Sequence, residues 1–411
     1  MKLVSKTTFM RHENHQTPMT SFVLYVSAKQ PRLLMRIYQS IGNDVWDEHF
    51  DILSNDNGRT WSPPRVVMKR EPVEGGEMSY TEGAALYCPD RDMLVTVTDY
   101  GFEPERTSYN PDTTYGLHIA TGKPGSMEKA IATVTNLGFR QGVGMSFCHP
   151  FVDSTGRLVF PGMNAVVDSP VLGLARKGYR VRKDMPDVMA DYAEPRLVIG
   201  EFKTDGCLSW HVTQAVPFAP DVSARGLCEP TVLELNDGRF AMICRGSNGV
   251  WVEGQGTVVK VPHPGCKWVS YSRDRGETWS EAKPLTDESG TLLESSATGS
   301  WLFRSTANRK VYWIGNLCVE GQKPLGNWPR DNLMIAEVSE GSTLALKRET
   351  LAIIAKAESG ESDQLQHSNF RAYQDRENGE IVLYVNRFFE RGGWENLGWH
   401  NTDLYCYRYA L

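Results

Sequence analysis

The chain has 411 residues, 40% of them hydrophobic and 23% charged, ordinary values for a soluble globular protein. A formal net charge of −6 argues against nucleic acid as a partner but leaves room for a local basic pocket that takes an acidic ligand. No apolar run approaches the roughly 18 residues of a membrane-spanning helix, so no membrane partner is expected.

Residues 1–9 lack the apolar core of a signal peptide, so the expectation is a cytoplasmic chain, or a secreted or periplasmic one whose leader was removed before this numbering. Short strand-like runs follow at residues 22–26, 93–97, 232–235, 240–244 and 381–385. Turn signals separate them: Pro89-Asp90-Arg91-Asp92, Ser154-Thr155-Gly156, Asn236-Asp237-Gly238 and Glu377-Asn378-Gly379. The sequence apolar run, Asp/Asn-Gly turn, apolar run recurs at 152–160, 232–243 and 373–384, the pattern of antiparallel hairpins. Residues 128–135 read as a short helix or another strand. Residues 164–195 break the pattern, with Arg176, Lys177, Arg180, Arg182 and Lys183 ahead of Asp184, Asp187 and Asp191. They read as a long insertion between strands, either a solvated loop or a lid or oligomer contact. The alternating run 404–409 is placed to pair with an N-terminal strand and close a ring.

Two segments nearly repeat one another. Ser54-Asn55-Asp56-Asn57-Gly58-Arg59-Thr60-Trp61 and Ser272-Arg273-Asp274-Arg275-Gly276-Glu277-Thr278-Trp279 share Ser, Asp, Gly, Thr and Trp at the same offsets. Ser and Asp side chains hold a tight turn, Gly supplies the left-handed position, and Trp anchors the next strand. An internal repeat in an all-β chain points to radial blades, which leave only short protected sheet edges. Six blades of roughly 60–70 residues use the chain up. The reading is all-β: one domain over residues 1–411, a six-bladed β-propeller of four-stranded antiparallel blades. The eight cysteines include no CxxC pair, so a zinc knuckle is not expected, and their scatter fits free buried thiols in a reducing compartment. Nothing calls for a metal or cofactor.

The repeated turn resembles the Asp-box of sialidases and related propellers, where it is structural and lies away from the substrate. Other segments resemble that superfamily in the same chain order. Gly142-Val143-Gly144-Met145-Ser146, followed by Gly156-Arg157-Leu158-Val159-Phe160-Pro161, is similar to its glycine-rich stretch. Residues 228–245 are similar to the segment carrying a Glu and a clamp Arg, here Glu229 and Arg245. Arg330-Asp331-Asn332 is similar to the strand carrying another clamp Arg. Arg11 is best placed for the remaining one, although the family's R-I-P signature is absent.

The resemblance implies an exo-acting glycoside hydrolase whose arginines grip the carboxylate of a terminal acidic sugar. A guanidinium fork fits a carboxylate bidentately, and three from different blades would converge on the mouth of the ring. Asp44 or Asp47, beside Trp46 before the first box, is the candidate acid. Glu82, in Tyr80-Thr81-Glu82-Gly83, is a further carboxylate, read as part of a loop that could reach the mouth. The nucleophilic Tyr of the family is replaced by His367. That residue is expected to act as a general base toward water, or to abstract the proton beside a uronate carboxylate, with a Tyr or His149 protonating the leaving oxygen. Three readings stay open: a sialidase-like hydrolase acting on an acidic oligosaccharide or glycoconjugate, a polysaccharide lyase, and a non-catalytic carbohydrate-binding propeller. The oligomeric state is not legible.

Overall fold

A computed structural model describes the chain apart from residues 15, 43–44, 104–113, 125–131, 135–142, 146–148, 166–192, 220–221, 253–256, 363 and 391–400. It is a six-bladed β-propeller. Blade 1 runs outward through Thr17–Tyr25, Leu33–Gly42, Val45–Ser54 and Arg65–Lys69. Blade 2 follows with Gly76–Cys88, Met93–Glu103, Thr114–Gly122 and Ala132–Val134, so the described part of the ambiguous segment 128–135 is a strand. In blade 3, Val143–Gly144 and Phe151–Val152 both pair with Leu158–Ala165, and Ala193–Phe202 and Leu208–Val212 lie outside.

Blade 4 comprises Cys228–Glu234, Phe240–Arg245, Lys267–Ser272 and Lys283–Pro284. Blade 5 comprises Ser300–Arg304, Val311–Asn316, Leu333–Glu340 and Leu344–Leu346. Blade 6 comprises Arg371–Gln374, Ile381–Asn386, Leu404–Ala410 and, outermost, Lys2–Met10. The expected closure is present: the first strand pairs with the last, from Lys2 opposite Ala410 to Met10 opposite Leu404. Most of the insertion expected at 164–195 lies outside the described residues. Its ends belong to paired strands, with Ala165 opposite Ala193.

The ring is held by apolar layers between successive blades. Phe22 and Leu34 of blade 1 meet Ala85 and Leu94 of blade 2. Leu86 and Val97 meet Leu158 and Phe160, and Val159 and Leu197 meet Phe240 and Met242. Ala241 and Ile243 meet Leu302 and Trp313. Phe303 and Ile314 meet Phe370 and Leu383. Val382 and Tyr384 meet Val23 and Met35, which closes the circle. Side chains alternate across a strand, so a sandwiched strand needs apolar residues on both faces. That is why Phe240-Ala241-Met242-Ile243-Cys244 is apolar throughout. The described cysteines are all free, with Cys88, Cys228, Cys244 and Cys266 buried.

The two repeated turns are built alike. Ser54 Oγ accepts the Gly58 N–H at 2.8 Å, and Asp56 accepts the N–H and Oγ1–H of Thr60 at 2.9 and 2.6 Å. Ser272 Oγ accepts the Gly276 N–H at 2.7 Å, and Asp274 accepts the same two groups of Thr278 at 2.9 and 2.5 Å. Gly58 and Gly276 have φ of +79° and +95°. The hydrogen bonds these Asp side chains receive, with Asp56 half-buried and Asp274 exposed, agree with a turn-holding role.

Candidate functional site

Antiparallel pairing sorts the loops by end. Turns from first to second and third to fourth strands lie at one end of a blade, and the repeated turns are of the second kind, after Val45–Ser54 and Lys267–Ser272. Loops from second to third strands, and the links between blades, lie at the other end. Most of the residues singled out from sequence belong there: Glu229 at the head of the blade 4 inner strand, Arg245 at the tail of its second strand, Arg330 in the blade 5 connection, His367 ahead of the blade 6 inner strand, and Asp47 at the start of a third strand.

Glu229 and Arg245 meet. The Arg245 Nη1 donates to Glu229 Oε1, and its Nη2 donates to Asn327 Oδ1 at 3.0 Å. Both side chains are about nine-tenths buried, at 11% exposure each. The pair sits at an irregularity in the ladder, where the register shifts between Cys228 and Thr231. Glu229 has φ of +47°, a left-handed conformation that is costly for a residue with a Cβ. Among the described residues its Oε2 has no hydrogen-bond partner.

Cations gather beside it. Lys267 is the register partner of Arg245 and is only 1% exposed. Burial pulls its ammonium down to about 7; Glu229 opposes that fall, while Arg245 and Arg330 add to it. Lys267 thus lies within electrostatic reach of Glu229, Arg245 and Arg330. Arg330, 6% exposed, donates to Gln366 Oε1 at 3.3 Å, to Ser368 Oγ at 3.4 Å and to the carbonyl of Ala297.

His367 adjoins Arg330 and is sealed. Its Nδ1 bonds the Asp331 carbonyl at 2.8 Å and its Nε2 bonds Arg387 Nη1 at 2.7 Å. An arginine only donates, so Nε2 is the acceptor and Nδ1 carries the proton. The ring is fully buried, and burial, with Arg387 adding repulsion, pulls it down to about 3. The lone pair expected to take a proton is already engaged by Arg387, itself bound to Glu361, Glu390 and Tyr407. The backbone N–H of His367 donates to the Arg330 carbonyl at 2.8 Å.

The remaining candidates are dispersed. Glu82, 6% exposed, lies on the inner strand of blade 2 rather than in a loop; it accepts from Tyr38 Oη and from Arg371 Nη2, both at 2.6 Å. Both its oxygens join blades 1, 2 and 6. His149 stacks on Trp301 at 5.4 Å, linking the start of blade 3 to the inner strand of blade 5. Asp47 is half-buried on the strand beginning at Val45, and as the neighbour of Trp46 it projects to the opposite face. Trp46 itself packs with Tyr38, Phe389 and Trp328. Asp44 lies outside the described residues. Arg11 is exposed, between the closing strand and blade 1.

Sequence reasoning missed Lys267, Asn327 and Arg387. Lys267 carried a weak signal, the one charge in the strand Lys267–Ser272. The other two stand in connections with no motif.

No protein-family model matches the chain, and no curated protein sequence matches it. Solved structures share its fold. A protein of unknown function from Dyadobacter fermentans aligns over 99% of this chain and 98% of its own, with TM-score 0.59 and 13% identity. The Trypanosoma rangeli sialidase aligns over 98% of this chain at TM-score 0.57 and 12% identity, and the chain spans 59% of that longer protein. The α-L-arabinofuranosidase from Fusarium graminearum aligns over 100% of this chain and 99% of its own, at TM-score 0.53 and 10% identity. The chain is thus a six-bladed β-propeller of the kind that sialidases also adopt.

Proposed function

We propose that the chain is a propeller glycoside hydrolase that binds a terminal acidic sugar through Arg245 and Arg330 and works on it with Glu229. The observation that carries this reading is the strained, half-satisfied Glu229 set among Arg245, Lys267 and Arg330. A cationic cluster around one carboxylate favours an anionic ligand, and the unmet oxygen supplies a group for the anomeric centre. Fold neighbours that include a sialidase and an arabinofuranosidase support sugar chemistry, without fixing the sugar. Asp47 or Asp44 is the partner acid in this reading. His367 is assigned to holding Arg330 and Arg387 rather than to proton abstraction.

Dye release from a fluorogenic sialoside or uronide tests the proposal; no release from any acidic aryl glycoside refutes it. The lyase reading loses its motive with the sealed imidazole, and would need formation of a conjugated unsaturated uronate. A non-catalytic carbohydrate-binding propeller gains from the same observation. It predicts saturable glycan binding with no turnover.

A further inference from the structure

Lys267 adds to the positive field of the site but is assigned no contact with the sugar. It is a buried ammonium, and lysine is seldom fully buried without a partner. Its partners are neutral. Nζ donates to Thr298 Oγ1 at 2.7 Å, to the Thr298 carbonyl and, at 3.5 Å, to the Ser296 carbonyl. The carbonyl between them, that of Ala297, accepts from Arg330. Three successive carbonyls, just ahead of the blade 5 inner strand, are thus taken by two cations. One comes from the blade 4 ladder, where it stands opposite Arg245. The other comes from the blade 5 connection.

We propose that Lys267 is a positioning residue: by tying residues 296–298 to blade 4 it sets the spacing between Arg245 and Arg330, and so the anionic group both can grip. The second half of this statement rests on the acidic-sugar reading; the first does not. An apolar side chain of similar length would leave the Thr298 carbonyl unmet and the Ser296 carbonyl with the Ser295 hydroxyl alone, at 2.8 Å, so the segment would lose its side-chain tie to the blade 4 ladder. The segment's backbone bonds provide the readout. The Ser295 N–H donates to the Gly265 carbonyl at 2.9 Å and the Ala297 N–H to the Gly326 carbonyl at 2.8 Å.

The test is Lys267→Met in the full chain, read by amide hydrogen exchange and by kinetics on a fluorogenic sialoside. Exchange at Ser295 and Ala297 is expected to quicken about tenfold, with blade 2 amides unchanged, and KM to rise about tenfold with little change in kcat. Higher KM with unaltered exchange means that the charge acts directly on the ligand, and overturns the positioning role. Unaltered exchange and KM overturn it as well. If the unsubstituted protein turns over no acidic glycoside, the sugar reading has failed, and exchange alone decides whether Lys267 ties the segment. Thr298→Val, which deletes one acceptor and keeps the charge, should shift both readouts the same way by a smaller factor. It carries the test should the Met variant not fold.

Discussion

Glu229 and Arg245 form an ion pair across a bulge at the head of blade 4, and Glu229 holds its end from a left-handed backbone conformation. Its neighbours on the inner strand are extended. Strain of this kind costs of the order of 1–3 kcal/mol and persists only where surroundings enforce it. Here the enforcement comes from Arg245, which is itself fixed by Asn327.

Arg245→Ala should therefore cost both activity and stability. It strands a charged Glu229 at about nine-tenths burial, worth about 3 kcal/mol of folding free energy. Turnover should fall by about a hundredfold or more. Glu229→Gln keeps a hydrogen bond to Arg245 and should remain stable while losing turnover. Urea unfolding and initial rates, measured on both variants, separate the two effects.

Glu82 and Arg371 join blades 2 and 6, with Tyr38 of blade 1 on the second oxygen. Glu82→Ala should destabilise the ring by about 3–5 kcal/mol, because it leaves Arg371 buried without its carboxylate. Tyr38→Phe removes one hydrogen bond and should cost about 1 kcal/mol. Denaturant midpoints that match wild type for Glu82→Ala would remove this residue from the account of ring closure.

His367 makes folding depend on pH. Its folded value of about 3 lies below the ordinary 6.5, so between those limits the unfolded chain binds a proton that the folded chain does not. Stability is then full above about 6.5 and falls as pH drops toward 3, by at most about 1.4 kcal/mol per pH unit from this group. Arg387, Tyr407, Glu361, Glu358 and Lys6 stand around it. His367→Asn should flatten that part of the stability curve. NMR should show no titration of this imidazole between pH 5 and 8.

The repeated turns should matter for folding and leave catalysis alone. Ser272→Ala leaves the Gly276 N–H without its acceptor, at a cost of about 1–3 kcal/mol. Gly276→Ala forces a Cβ onto φ of +95° and within 2.4 Å of Leu197 Cδ1. Lower melting temperatures with unchanged kcat are expected for both.

Much of the ring was legible in the sequence because its cause is local. A Ser-Asp-Gly-Thr-Trp turn reports itself within eight residues, and an apolar strand bounded by Asn-Gly reports a hairpin. Glu229 and Arg245 lie on one hairpin, 16 residues apart, so their contact has a local cause as well. Partnerships between blades were not legible. Glu82 was read as a loop carboxylate because its partners lie 44 and 289 residues away. His367 was read as a base because nothing nearby in sequence announces Arg387 or the Asp331 carbonyl. Lys267 was passed over for the same reason: its acceptors lie about 30 residues on, in another blade.

The central claim is that Arg245 and Arg330 grip the same anion. A crystal structure of the protein soaked with N-acetylneuraminate, or with glucuronate as the second acidic sugar, tests it most directly. The account predicts a carboxylate in hydrogen-bond contact with both guanidinium groups and the sugar's anomeric carbon facing Glu229. A sugar bound elsewhere, or bound with its carboxylate turned away from Arg245 and Arg330, would contradict it.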